Sequence, residues 1–237
     1  MRLKDGSTVL DPRLDRIAEF DERSRRYGIR KALRADQKRR RSYTWRCLLT
    51  LDQGAEGACV GAGIAHELIA RPSAVPGITM DWARRAVYWE AQRRDPWAGG
   101  AYPGADPFYE GTSVLAGVQV ARAYGYFDEY RWGFGLDDLI LGVGHNGPAV
   151  LGVCWYRDMG QPDSEGYIWP RGAVQGGHCI LCRAVSVKRR DFTLHNSWGR
   201  GWGDNGDCRV TWDAMDTLLR ADGEACFFVG RHRRPLS

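Results

Sequence analysis

Apolar positions between residues 58 and 124 recur with helical spacing, and those after residue 147 fall into short runs and alternations of strand type. Ala58 to Ala70 carries small residues at Ala58, Gly61, Ala62, Gly63 and Ala65 and stops short of Pro72, which cannot continue a helical ladder. The pattern predicts a helix that opens at Cys59. Its two glycines each cost about 1 kcal/mol relative to alanine, so their presence implies close approach of another element. Further helices are predicted from Asp81 to Arg93 and from Ser113 to Tyr124, with Trp82, Val87 and Tyr88 on one and Leu115, Val118 and Ala121 on the other turned inward. Ala149 to Tyr156 and His178 to Val187 are continuous apolar runs, whereas Phe192 to Asn196 and Asp207 to Trp212 alternate; all four read as strands. A helical front half is followed by a β-rich back half.

Residues 1–44 are different in character, being polar and rich in arginine. Asp11-Pro12 can open a helix, and Leu14, Ile17 and Phe20 followed by Tyr27 supply a thin apolar stripe, so a short surface helix is expected. It would dock on the main body or act as a regulatory segment. The chain thus divides into an extension, residues 1–44, and a main domain, residues 45–237, with a helical lobe over about 55–132 and a β-rich lobe over about 145–230.

The formal charge of +5 is concentrated in Lys38-Arg39-Arg40-Arg41 and Arg231-His232-Arg233-Arg234. With no nucleic-acid-binding motif beside them, both read as solvated or mobile charge runs, and no nucleic-acid partner is expected. No stretch of eighteen apolar residues occurs and the amino terminus lacks the apolar run of a signal peptide. The expectation is a chain without a membrane partner, cytoplasmic or otherwise outside the usual secretory route, with association with a virus particle left open. Seven cysteines are an odd number and do not form a recognisable disulfide scaffold. Cys179 and Cys182 would point to opposite sides of a strand, and no second pair has zinc-site spacing, so no metal is expected.

Candidate chemistry lies in four places: Gln53 six residues before Cys59, Gly176-Gly177 before His178, Asn196-Ser197-Trp198-Gly199, and then Gly201-Trp202-Gly203 with Asn205-Gly206. A thiol becomes an effective nucleophile only as thiolate, and the positive end of a helix starting at Ala58, together with an imidazolium at His178, would lower its pKa. In content and in chain order these residues resemble the papain-like cysteine peptidases over about residues 45 to 212. The resemblance implies an α+β, two-lobed fold, a helical lobe packed on a β-rich, barrel-like lobe with the active cleft between them.

It also implies roles. Cys59 would be the nucleophile, His178 the acid and base, Asn196 the residue orienting the imidazole, Gln53 an oxyanion-hole donor beside the Cys59 amide, and Trp198 a cover over the His–Asn hydrogen bond. Gly111 and Thr112 would bind substrate backbone, Gly152 would line the pocket for the side chain two before the scissile bond, and Gly177 would flank the substrate. No cofactor is called for, and the partner is a protein or peptide substrate. Where secreted relatives have a cysteine three residues before the nucleophile this chain has Glu56, which fits a reducing compartment; that carboxylate would either face the cleft and oppose the thiolate or cap the helix. Val60 stands where the family generally has an aromatic. The extension is far shorter than the inhibitory pro-segments of secreted relatives, so the translated chain is read as the mature enzyme. Two other readings stay open: a papain-like binding or structural scaffold with little turnover, and the same chemistry directed at cell-wall peptides or at acyl transfer.

Overall fold

A helix buried on every face organises the molecule, whose computed structural model describes residues 1–234. This helix, α1, is Cys59–Leu68, and all of its residues are buried. On one side it meets α2, a continuous helix over residues 80–92 in which the α-helical turns Met80–Trp82 and Trp89–Gln92 flank a π-helical segment, Ala83–Tyr88. On the other side it meets a β-sheet. A side chain at Gly61 would overlap the Ala83 carbonyl, and a Cβ at Gly63 would lie 2.6 Å from Cys179 Sγ, so both glycines serve the close packing that their spacing implied. Helix α3, Val114–Ala123, completes the front layer and is capped by Ser113 Oγ, which accepts from the Ala116 amide at 3.0 Å.

Among the described residues the sheet has seven strands: β1 Tyr43–Thr44, β2 Phe127–Gly133, β3 Ala149–Tyr156, β4 Val174–Ser186, β5 Asp191–His195, β6 Asp207–Thr211 and β7 Glu224–Arg231. Its order is β2-β7-β3-β4-β5-β6, with every pair antiparallel and β1 beside β4. Alternation sends Val150, Cys179, Leu181 and Phe228 forward onto α1 and its neighbours. Leu151, Ile180, Cys182 and Phe227 point backward, to a core shared with helices α4, Leu136–His145, and α5, Trp212–Arg220. Cys179 and Cys182 accordingly lie in different apolar clusters.

The expected barrel-like lobe is not formed. The sheet is open, ending at β2 and β6. Closing a barrel requires one face to become an interior filled by the strands' own side chains. Here both faces are apolar and each is covered by helices, a sandwich of layers around an open sheet.

Two further expectations need correction. The extension holds 3-10 turns at Glu22–Tyr27, Ile29–Lys31 and Ala35–Lys38, while residues 11–20 form no helix. In the basic stretch at residues 231–234, Arg233 and Arg234 are exposed as expected, but the first two residues are paired. Arg231 Nη1 lies 3.1 Å from Glu67 Oε1 with their side chains 8% and 0% exposed, and His232 contacts Asp128 at 2.8 Å. The Arg231–Glu67 pair ties the last strand to α1; burial raises the Glu67 carboxyl to about 7 despite the neighbouring guanidinium. Removing the cation by Arg231→Met is expected to cost about 3 kcal/mol or more in urea unfolding, with much of the loss restored by adding Glu67→Gln. An unchanged unfolding midpoint for Arg231→Met would contradict this.

Candidate active site

The start of α1 sets Cys59 directly against β4. Its sulfur is fully buried and accepts a hydrogen bond from the Cys179 amide at 3.2 Å. The neighbouring residue on that strand, His178, is also fully buried, and its Nε2 lies 2.8 Å from Oδ1 of Asn196, which follows the end of β5. The same Oδ1 accepts from the Ser197 amide at 2.8 Å, which fixes the Asn196 side chain. Trp155 and Trp198 stand 4.8 and 5.0 Å from the imidazole, ring centroid to centroid. Gln53 is held by Ser197: its Oε1 accepts from Ser197 Oγ at 2.6 Å and its backbone N–H donates to the Ser197 carbonyl at 2.9 Å. Its Nε2 donates to the Glu56 carbonyl at 2.8 Å. Cys59, His178, Asn196 and Gln53 are therefore gathered at one place, with Trp198 beside them. Ser197 and Trp155 were not singled out in the sequence, although Ser197 lies inside the asparagine-tryptophan motif.

The cleft beside these residues is occupied by the chain's own amino-terminal segment. Asp11 makes a tight turn, its carboxylate accepting from the amide and guanidinium of Arg13. From there the backbone runs extended between the two halves of the molecule. The Arg16 amide donates to the Gly177 carbonyl at 3.1 Å and the Ile17 amide to the Thr112 carbonyl at 2.9 Å. This is why the apolar stripe does not make a helix: the amides a helix would need are bonded to opposite walls of the cleft. Leu14 and Ile17 are buried, while Phe20 and Tyr27 of the same stripe are 61% and 48% exposed. A Cβ at Gly111 would lie 2.8 Å from the Asp15 carbonyl, and one at Gly177 would overlap that of Arg16. Gly111, Thr112, Gly152 and Gly177 thus all line the path of this strap. Farther back, Lys4 Nζ pairs with Asp95 at 2.6 Å with both side chains fully buried, securing the strap's leading end.

One strap residue faces the sulfur. The Asp15 side chain is fully buried, and its Oδ1 takes the hydrogen bond of the Cys59 amide at 3.3 Å. Glu56, by contrast, pairs with Arg84 at 2.5 Å and is largely solvent-facing, so the carboxylate against the thiol comes from the extension and not from the residue three before Cys59. Burial pushes the Cys59 thiol well above its ordinary pKa, with the Asp15 charge adding to it. Burial also lowers His178 to about 4, against the opposing hydrogen bond to Asn196. The pair is neutral as held here, and not the thiolate–imidazolium couple expected for an open site.

Comparison with known proteins follows this geometry. No protein-family profile matches the chain. Cathepsin B-like protease 1 of Arabidopsis thaliana is 27% identical over 132 residues, which cover 50% of this chain and only 35% of that protein's length. Among solved structures, xylellain, a cysteine protease from Xylella fastidiosa, superposes with a TM-score of 0.73 at 15% identity, covering 94% of this chain and 98% of its own. The chain has the papain-like fold. The Carica candamarcensis cysteine protease CMS1MS2, in complex with E-64, gives a TM-score of 0.54 at 16% identity over 81% of this chain and 99% of its own.

Within the papain-like fold, the strap and the site exchange protons in opposite senses. Burial raises docked Asp15 from its ordinary 3.8 to about 6, so docking takes up a proton there, while His178, lowered from 6.5 to about 4, gives one up. Across that window the two effects oppose each other. Glu110, raised from 4.5 to about 7 first by burial and then by facing Asp15, takes up a proton in the same sense as Asp15, and Asp11 is held low by Arg13. Asp15→Asn removes the Asp15 uptake and the share of the Glu110 shift that Asp15 causes, so docking in that variant is expected to weaken less, or strengthen more, than in wild type as pH rises from about 4 to about 6. Hydrogen-exchange protection of the Arg16 and Ile17 amides, corrected for intrinsic rates, reads this directly. The same pH slope in wild type and Asp15→Asn would contradict the assignment.

Proposed function

We propose that this chain is a cysteine peptidase that hydrolyses peptide bonds through an acyl-thioester on Cys59 and is kept latent by its own residues 11–19. The observation that carries the reading is the His178–Asn196 hydrogen bond, standing beside a cleft in which an extended peptide segment is already bonded to both walls. The fold shared with cysteine proteases and the limited likeness to a cathepsin B-like protease support it.

With the strap out, the Cys59 thiol passes its proton to His178 Nδ1, a buried nitrogen without a hydrogen-bond partner in the closed form. Nε2 remains donated to Asn196 Oδ1, which holds the ring in the tautomer this transfer needs. Thiolate attack on the substrate carbonyl carbon places negative charge on its oxygen, where the Cys59 amide and the Gln53 side-chain amide stabilise it. The imidazolium then protonates the leaving amine, and water, deprotonated by the imidazole, hydrolyses the thioester. Asp15 Oδ1 holds the Cys59 amide that the developing oxyanion requires, so the closed form blocks the chemistry as well as the entry of substrate.

The test uses the full chain loosened by Asp15→Ala, assayed on a mixture of quenched fluorescent peptides. Cleavage that disappears on adding Cys59→Ala, and that falls by about 10²–10³-fold in kcat on adding Gln53→Ala, is expected. No cleavage of any peptide by the loosened chain would instead favour a scaffold whose buried site has no turnover.

A further inference from the structure

Two histidines outside the candidate machinery bolt its parts together. Gln53 and Asn196 sit on separate stretches of chain, residues 49–53 and 195–199, that lie side by side: the Gln53 backbone N–H donates to the Ser197 carbonyl at 2.9 Å and the Gly199 N–H to the Leu51 carbonyl at 3.1 Å. At the far end the bond comes from a side chain. His195, the last residue of β5, is 5% exposed and has an oxygen at each ring nitrogen, Asp207 Oδ1 2.7 Å from Nδ1 and the Leu49 carbonyl 3.0 Å from Nε2. Against its burial, hydrogen bonds from Arg183 and His195 hold Asp207 below the ordinary carboxylate value, so it is ionised. A carboxylate and a carbonyl can only accept, so both nitrogens carry protons and the ring is an imidazolium. The second histidine, His66, lies farther along the helix that Cys59 opens; its Nε2 accepts the Leu51 N–H at 3.0 Å. Burial, with the His195 charge adding to it, keeps that ring neutral, and the two rings meet edge to face with centroids 4.5 Å apart. The pair ties α1 to the segment carrying Gln53, and that segment to the strand end carrying Asn196.

We propose that His195 is a positioning residue for the reaction: its imidazolium holds residues 49–53 against the Asn196 turn and so keeps the Gln53 donor aimed at the oxyanion. The proposal rests on the peptidase reading and adds a residue to it. His195 touches no reacting atom; it acts through Leu49 and Gln53. The groups facing its ring are Asp207, itself paired with Arg183 of β4, the Cys47 thiol, which donates to the same Leu49 carbonyl at 3.5 Å, and neutral His66. Burial works against the charge, and the Asp207 carboxylate and Cys47 outweigh it, holding the ring at about 9 instead of 6.5. A group raised in this way contributes fully below 6.5 and loses its contribution as pH rises through about 9. Deprotonation leaves the ring one N–H, which the charged Asp207 oxygen claims over a neutral carbonyl. The bond to Leu49 is therefore the one that is lost.

The side-chain amide of Gln53 reports this coupling without catalysis. In NMR spectra of the full chain its signal should move with a midpoint at about pH 9. The movement should vanish in His195→Gln, and in Asp207→Asn, where no carboxylate supports the cation, the midpoint should fall toward 6.5. The second readout is kinetic, with the loosened Asp15→Ala chain as parent. Adding His195→Gln is expected to lower kcat about tenfold, a part of what an oxyanion donor is worth, while KM changes by less than about twofold. Gln53→Ala made in that variant should then cost far less than the same change made in the parent, because the donor it removes is no longer held in place. A Gln53 signal that ignores His195, or losses that multiply independently, would overturn the positioning role and leave the peptidase reading in place. A Gln53 signal that follows His195 in a chain that cleaves no peptide would support the coupling and count against the peptidase.

Discussion

The closeness of α1 to β4 is the constraint on which the site depends. Gly63 lets the helix lie against Cys179, and the same approach brings the Cys59 sulfur within 3.2 Å of the Cys179 amide. Because His178 is the next residue along β4, the distance between thiol and imidazole is governed by backbone packing more than by side-chain conformation. Gly61 plays the same part on the other side, against α2. Any side chain at these glycines would separate the two layers, and with them the two halves of the candidate machinery.

Closing the cleft changes the chemistry of what lies inside it. The strap supplies a buried carboxylate beside the thiol and takes solvent from the imidazole, so both reactive groups are held neutral. Its hold is distributed: Lys4 on Asp95, Leu14 in the back core, Arg16 on Glu224 and two backbone hydrogen bonds to opposite walls. The two backbone bonds fall on Gly177 and Thr112, residues expected to receive substrate. A segment that imitates substrate contacts can be displaced by substrate, and that distinguishes a latent enzyme from one with a ruined site.

The parts of this arrangement legible in the sequence were those carried by local pattern or by motif. The α1 start at Cys59 and the strand at Ala149–Tyr156 required only spacing, and the gathering of Gln53, Cys59, His178 and Asn196 came from the family resemblance that their motifs carry. The extension misled, because Leu14, Ile17 and Phe20 have helical spacing while the amides of Arg16 and Ile17 are claimed by distant carbonyls. Glu224 could not be recognised either; it matters only as the partner of Arg16, and that contact is a tertiary fact. The short apolar run Cys226-Phe227-Phe228-Val229 and the amphipathic residues of α5 went unassigned, and with them the last strand and the rear helix. The barrel came from the resemblance alone, and the helices packed on both faces of the sheet account for its absence.

The central claim is that residues 11–19 suppress an otherwise competent Cys59. It is tested most directly by the second-order rate at which an epoxysuccinyl thiol reagent modifies Cys59 in the intact protein at neutral pH, followed by intact mass in wild type and in Asp15→Ala, with Cys59→Ala as the blank. The account predicts slow modification of wild type and at least about tenfold faster modification of Asp15→Ala, reflecting both an opened cleft and a thiol relieved of its facing carboxylate. Equal rates in the two proteins, or rapid modification of wild type, would contradict it.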